Sequence, residues 1–227
     1  MTATTRRPPD RTRRLSDEEH AYYRLSRRVY ALFAPVCDLA ALPMRSLRDV
    51  VVDLVSPAKD SRVLDVATGT GSQAAAFARR CREVVGVDLS PAMLRVAAKK
   101  RGAPNPRLIE ADATELPFED ASFDVSCISF ALHEMPMTIR DAVLREMARV
   151  TKAGGAIAIV DYALPEHPVR RWLVYHFVKL YERGVYADFV HSDLDALLAR
   201  AGLERRADKR LLSGAARIVV ARGRDRR

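Results

Sequence analysis

Three cysteines in 227 residues, Cys37, Cys81 and Cys127, are too scattered and odd in number for a disulfide framework, and no CxxC pair suggests zinc. A reducing, cytoplasmic setting is the expectation. The five histidines, His20, His133, His167, His176 and His191, lack HxxxH spacing, so no metal site is expected. No run approaches the roughly 18 apolar residues that a membrane-spanning helix needs, so no transmembrane segment is expected. The opening MTATTRRPPDRTRR has no apolar core of the kind a secretory signal carries. Its prolines fit a disordered basic tail over residues 1–14 better than an amphipathic transit peptide. Internal repeats and long glycine/serine linkers are missing too, so residues 15–227 read as one domain.

Charge of one sign is also missing from most of the chain. The net charge of +9 invites a nucleic-acid reading, but residues 1–14 contribute +4 and residues 204–227 contribute +6. The stretch 15–203 holds 24 basic and 25 acidic residues, a balance of −1. A uniformly basic binding face is not what this describes.

What is present is an alternation. Ser16-Asp17-Glu18-Glu19 opens a helix, with Ser16 as N-cap and Glu19 completing a capping box. Tyr22, Tyr23, Leu25, Val29, Tyr30 and Phe33 follow at helical spacing until Pro35, and a second helix is expected from Pro43 to Val55. Strands at 62–67, 83–88, 107–110, 123–130 and 156–162 are then separated by helices near 72–80, 91–100 and 138–151. Such spacing predicts βαβ units, a parallel sheet and helices on both faces. Ligands in such sheets bind outside the carboxyl ends of the strands.

The last third differs. A helix over 168–183 is apolar around most of its circumference. Core packing accounts for Trp172, Leu173, Phe177 and Leu180. The additional Val174, Tyr175, Val178 and Tyr181 leave a pocket wall and a homodimer contact as equal readings, ahead of membrane docking. Ser192-Asp193-Leu194-Asp195 reads as a second capping box, opening a helix that ends near Gly202. Two extended runs, 203–212 and 216–222, suggest a hairpin at the sheet edge.

Three signals fall at successive strand ends. Thr68-Gly69-Thr70-Gly71 breaks a strand before an alanine-rich helix, where glycine permits positive φ and close approach of a ligand. Asp88 ends "VVGVD", where a carboxylate can accept from both hydroxyls of a ribose. Asp112 ends the next strand, placed to read an adenine amino group. Taken singly, each is as easily a solvated or capping residue, and Asp65 is as easily structural. A nicotinamide-binding oxidoreductase shares the first two signals, but Ser72-Gln73-Ala74 follows Gly71 where its fingerprint wants a third glycine, and no YxxxK pattern follows.

The stretches "VLDVATGTG", "VVGVDLSPAML", "EADATELPFEDASFD", "SCISFALHEM" and "REMARVTKAGGAIAIVDY" run in order from 62 to 162. In them the chain resembles a class I S-adenosylmethionine-dependent methyltransferase, of the type 11 branch that includes the ubiquinone/menaquinone C-methyltransferases. The resemblance implies an α/β, Rossmann-like, seven-stranded and mostly parallel sheet with an antiparallel edge strand. It implies an N-terminal helical cap over 15–57, a cofactor-binding core over 62–162, and substrate-side helices with a hairpin over 168–222. By position, Asp65, Gly69, Thr70 and Gly71 would form the S-adenosylmethionine loop, Asp88 would take the ribose, and Asp112 and Ala113 the adenine. Leu89 and Met93 would pack on the adenine, and Ser129 would lie beside the methionine part. Ala67 stands where many relatives have glycine.

The departures concern the acceptor. The N-terminal asparagine, serine, histidine and tryptophan pattern of the quinone enzymes is missing, and "TKAGG" replaces KPGG. A small apolar or aromatic acceptor is expected. A base is needed only if the acceptor must lose a proton; His133, Asp161 and Tyr162 are candidates, His133 first for its pKa range. Tyr22 or Tyr23 is expected to fold over the cofactor. An RNA substrate is the runner-up, but no base-stacking module is evident.

Overall fold

Runs of valine, leucine and isoleucine build a seven-stranded sheet in the computed structural model, which describes residues 16–25, 30, 45–100, 106–181 and 185–224. The basic tail, Phe33, Pro35 and the start of the second helix at Pro43 lie outside the described residues. The strands are β1 (Arg62–Val66), β2 (Glu83–Asp88), β3 (Arg107–Glu110), β4 (Phe123–Ser129), β5 (Thr151–Tyr162), β6 (Leu203–Leu211) and β7 (Ala216–Gly223). Their spatial order is β3-β2-β1-β4-β5-β7-β6. The first five pair in parallel; β7 runs antiparallel to both β5 and β6, so the hairpin makes an antiparallel edge.

The helices are α1 (17–25), α2 (Arg45–Val55), α3 (Ser72–Ala78), α4 (Pro91–Lys99), α5 (Met137–Val150), α6 (Pro168–Tyr181), α7 (Tyr186–His191) and α8 (Leu194–Arg200). Strands covered on both faces must be apolar at nearly every position, and β1 is buried throughout except at Arg62. Alternation divides it: Leu64 and Val66 join the core under α5 and α8, whereas Val63 faces Ala74 and Phe77 of α3. Asp65 falls on the Val63 side. The chain reaches β3 at one edge and then returns to lay β4 against β1, so the strand order switches there. Crevices form outside the carboxyl ends at such a switch.

Local signals explain the boundaries. The capping box at α1 closes both ways: Glu19 N donates to Ser16 Oγ at 3.2 Å and Ser16 N to Glu19 Oε2 at 2.8 Å. Ser90 caps α4, with Pro91 in its first turn. Elsewhere the expectations need correction. Asp193, not Ser192, caps α8, taking Asp195 N and Ala196 N, while Ser192 Oγ donates back to Phe189 O. The fifth strand begins at Thr151 rather than 156, with a register shift opposite Phe123/Val125 that absorbs the glycine pair. Helix α7 has no clear sequence signal. Its Tyr186 and Phe189 are buried at i, i+3 spacing, too short a signal to stand out between longer helices.

The largest correction is α6. Trp172, Leu173, Phe177 and Leu180, expected in the core, are 53–78% exposed, whereas Val178 is buried. A helix apolar all round has no periodicity to say which side packs.

Candidate active site

A cavity of about 650 Å³ opens along the carboxyl ends of β1 to β5, within the usual size of a small-molecule site. Tyr22 and Tyr23 of α1 and Leu47, Arg48 and Val51 of α2 line its other side. Tyr22 and Tyr23, one or the other of which is expected over the cofactor, thus both line the cavity.

The glycine turn forms one wall. Ala67 has φ of +52°, a conformation that favours glycine and that a non-glycine residue holds at some cost. Thr68 then locks the turn: its N–H donates to Val87 O at 2.9 Å and its hydroxyl to Asp65 Oδ2 at 2.5 Å. Asp65 also accepts from Ala74 N at the start of α3; burial, only partly offset by these bonds, pushes its carboxyl up to about 7. Gly69 has φ of +54°, and a Cβ there would meet nothing within 4 Å, so the turn is open to the cavity.

Asp88 stands at the end of β2. Its Oδ2 accepts from Gly69 N at 2.7 Å and its Oδ1 from Ser90 N at 2.8 Å. Burial raises its pKa, against the pull of these backbone donors. Leu89 N donates to this carboxylate as well, and since a carboxylate has about four acceptor positions, three backbone donors leave room for a further hydroxyl. After β3, Asp112 Oδ1 accepts from Thr114 N at 2.8 Å and Thr114 Oγ1 at 2.7 Å. The Tyr23 hydroxyl hydrogen-bonds in the same place; burial raises its pKa to about 12, so it stays a neutral phenol.

Asp65, Gly69, Thr70, Asp88, Leu89, Met93, Asp112, Ala113 and Ser129 all line this cavity, as does His133. Gly71 does not. It caps α3 with φ of +73°, and a Cβ there would press on Ala97 Cβ at 3.0 Å, so helix packing rather than ligand approach requires glycine at that position.

The far end of the cavity is ringed by aromatics. His133 sits in a 3₁₀ turn, Leu132–Glu134, after β4, and is 2% exposed rather than a surface residue. Its Nδ1 lies 2.7 Å from Asp161 Oδ1, and its backbone N donates to Asp161 Oδ2 at 3.2 Å. Asp161 also takes Tyr162 N, so the carboxylate is fixed by three groups. The His133 ring meets Tyr162 at 4.7 Å, and Tyr162 meets Phe130 at 5.4 Å. Phe130, with φ of +51°, lines the cavity. Glu134 accepts from the Tyr30 hydroxyl. Arg140, buried on α5, donates to Leu132 O at 2.8 Å and Val185 O at 3.0 Å, tying the turn to α7.

Several of these residues carried no local signal. Arg140 and Phe130 read as ordinary helix and strand residues. Lys100, whose ammonium donates to Thr70 Oγ1 at 3.1 Å, reads only as a cation after a helix end. Tyr175, one of the residues left between a pocket wall and a homodimer contact, does not line the cavity, whereas Phe177, expected in the core, does. Tyr175 packs instead near Tyr186 and His191.

Residues 63–155 match a family model described as a methyltransferase domain. A demethylmenaquinone methyltransferase of Paenarthrobacter aurescens is 40% identical over 156 residues, 69% of this chain and 55% of that protein. Another, from Thermobifida fusca, is 36% identical over 159 residues, 65% of this chain and 66% of that protein. The chain thus spans between about half and two thirds of the length of these relatives. Among solved structures, a magnesium protoporphyrin IX methyltransferase from Synechocystis with bound adenosylhomocysteine superposes with a TM-score of 0.61. That match covers 80% of this chain and 84% of the other at 17% identity, and so speaks for the fold alone. Together with the strand order, these similarities identify the chain as carrying a class I S-adenosylmethionine-dependent methyltransferase domain.

Proposed function

We propose that the chain, as one domain over 15–227, transfers a methyl group from S-adenosylmethionine to a small acceptor with an apolar or aromatic body, and that His133 removes the acceptor's proton. The observation that carries this is the single cavity shared by the Gly69, Asp88 and Asp112 strand ends and the His133–Asp161 pair. The open turn at Gly69 and the spare acceptor capacity of Asp88 suit the cofactor. Asp88 would hold the ribose hydroxyls, Asp112 and the Ala113 backbone the adenine, with Leu89 and Met93 against its faces. Gly69, Thr70 and Ser129 would border the methionine part, and Asp65 would hold the loop from beneath. Bound there, S-adenosylmethionine supplies a sulfonium methyl group and leaves as the thioether adenosylhomocysteine.

The chain's own chemistry lies at the other end. Taking Nδ1–H as directed at Asp161 leaves the His133 lone pair on Nε2, with Glu134 Oε1 3.8 Å away. An acceptor O–H or acidic C–H proton passes to Nε2 as the acceptor forms its bond to the methyl carbon. Asp161 is a positioning residue: it fixes the tautomer and stabilises the imidazolium. General-base help of this kind is worth about 10²–10⁴-fold.

Tyr162, Phe130 and Phe177 favour an aromatic or lipid-like acceptor over RNA, as does the −1 balance of residues 15–203. A cytoplasmic setting belongs to the same proposal, supported by three scattered cysteines without CxxC spacing. Incubating the full chain with methyl-labelled cofactor and a panel of phenols, quinols and RNA tests this. Label should enter a small acceptor regardless of RNase treatment. Asp161→Asn should lower kcat by about 10²-fold or more and flatten the pH profile, leaving cofactor affinity intact. Label appearing only in RNA, or tight NADH binding without adenosylhomocysteine binding, would refute the assignment.

A further inference from the structure

The outer side of α6 carries Val169, Trp172, Leu173, Phe177 and Leu180, each more than half exposed. They fall at i, i+3, i+4, i+8 and i+11, one continuous stripe about 16 Å long at 1.5 Å per residue. Val174, Tyr175 and Val178 occupy the inner side, so the stripe is extra to packing. Contiguous exposed apolar surface of this kind usually marks an interaction site.

Charge decides which kind. Residues 168–181 contain Arg170, Arg171 and Lys179 and no acidic residue, and all three cations are exposed. Arg210 shares a groove with Arg170 at the helix start, where Glu166 is the acidic neighbour. Two copies meeting through this face would set cations against cations, which is unfavourable. An apolar stripe with tryptophan, flanked by Arg and Lys, instead matches a helix lying in the plane of a negatively charged bilayer surface. Phe177 belongs both to the stripe and to the cavity lining.

We propose that the outer face of α6 docks onto an anionic lipid bilayer and brings the Phe177 side of the cavity to the lipid, from which an apolar acceptor is drawn. The acceptor's route rests on the function proposed above; the docking does not. No helix among the described residues is long and apolar enough to cross a membrane, so this contact is peripheral.

Trp172 is the chain's single tryptophan and reports on this face alone. The full chain, with no cofactor or acceptor present, is mixed with phosphatidylcholine vesicles with and without phosphatidylglycerol. Anionic vesicles should shift Trp172 emission to the blue and protect it from a soluble quencher. The paired change Leu173→Ser with Leu180→Ser should abolish both effects without lowering the thermal midpoint. Arg170→Gln with Lys179→Gln should weaken binding roughly fivefold per charge removed. Because residues 1–14 are basic too, the Trp172 signal rather than sedimentation decides the question. An unchanged spectrum, or a shift that survives the serine pair, overturns the proposal. So does a Trp172 already shielded without lipid, through dimerisation or cover from the same chain. Since no methyl transfer is measured, failure here leaves the enzyme assignment standing, and failure of that assignment leaves the docking result readable.

Discussion

Asp65 is 1% exposed on the α3 side of β1, a carboxyl placed where valine would otherwise pack. Its bonds from Thr68 and Ala74 favour the charged form, but burial outweighs them and pushes the pKa up to about 7 from 3.8. The folded chain therefore holds a proton that the unfolded chain has released over the window between about pH 4 and 7. Stability must fall as pH rises through that window. A shift of about three pH units corresponds to at most about 4 kcal/mol once the group is ionised in both states. Asp65→Asn cannot ionise, and its amide oxygen can still accept from Thr68 and Ala74. Its buried NH₂ carries a cost that does not depend on pH. Urea unfolding of both proteins across this range should give a wild-type curve that declines more steeply with pH, so the variant gains on it steadily up to about pH 7. Parallel curves would instead mean that Asp65 ionises in the fold as it does in the unfolded chain.

At Asp88, the conservative change to Asn removes the charge but keeps one acceptor for Gly69 or Ser90. Adenosylhomocysteine affinity, read by calorimetry, should fall about ten- to hundredfold, the worth of one charge-assisted hydrogen bond. Arg140→Met should lower stability by about 2–4 kcal/mol in chemical denaturation, because the Leu132 and Val185 carbonyls lose buried donors.

The wall formed by the Gly69, Asp88 and Asp112 strand ends is legible in the sequence because its signals are local. A strand ending in aspartate, a glycine turn and a capped helix are written within a few residues of one another, and the capping box at Ser16 and Glu19 is of the same kind. At the other end, His133, Asp161 and Tyr162 are each named as strand-end candidates, but their pairing is assembled across the chain and has no local signal. Nothing near His133 announces that Asp161 will arrive beside it from the next strand, or that Tyr186 will cover it from a six-residue helix. Position alone could not separate Gly69, which faces open space, from Gly71, which faces Ala97. Nor could hydrophobicity choose the buried side of α6, since both sides are apolar and Arg171 falls on the same side as Val174, Tyr175 and Val178.

A crystal structure of the full chain with adenosylhomocysteine should show the ribose hydroxyls on Asp88, the adenine between Leu89 and Asp112, and the sulfur facing the aromatic end that His133 and Tyr162 define. A ligand bound outside this cavity, or with its sulfur turned away from His133, would contradict the proposed function.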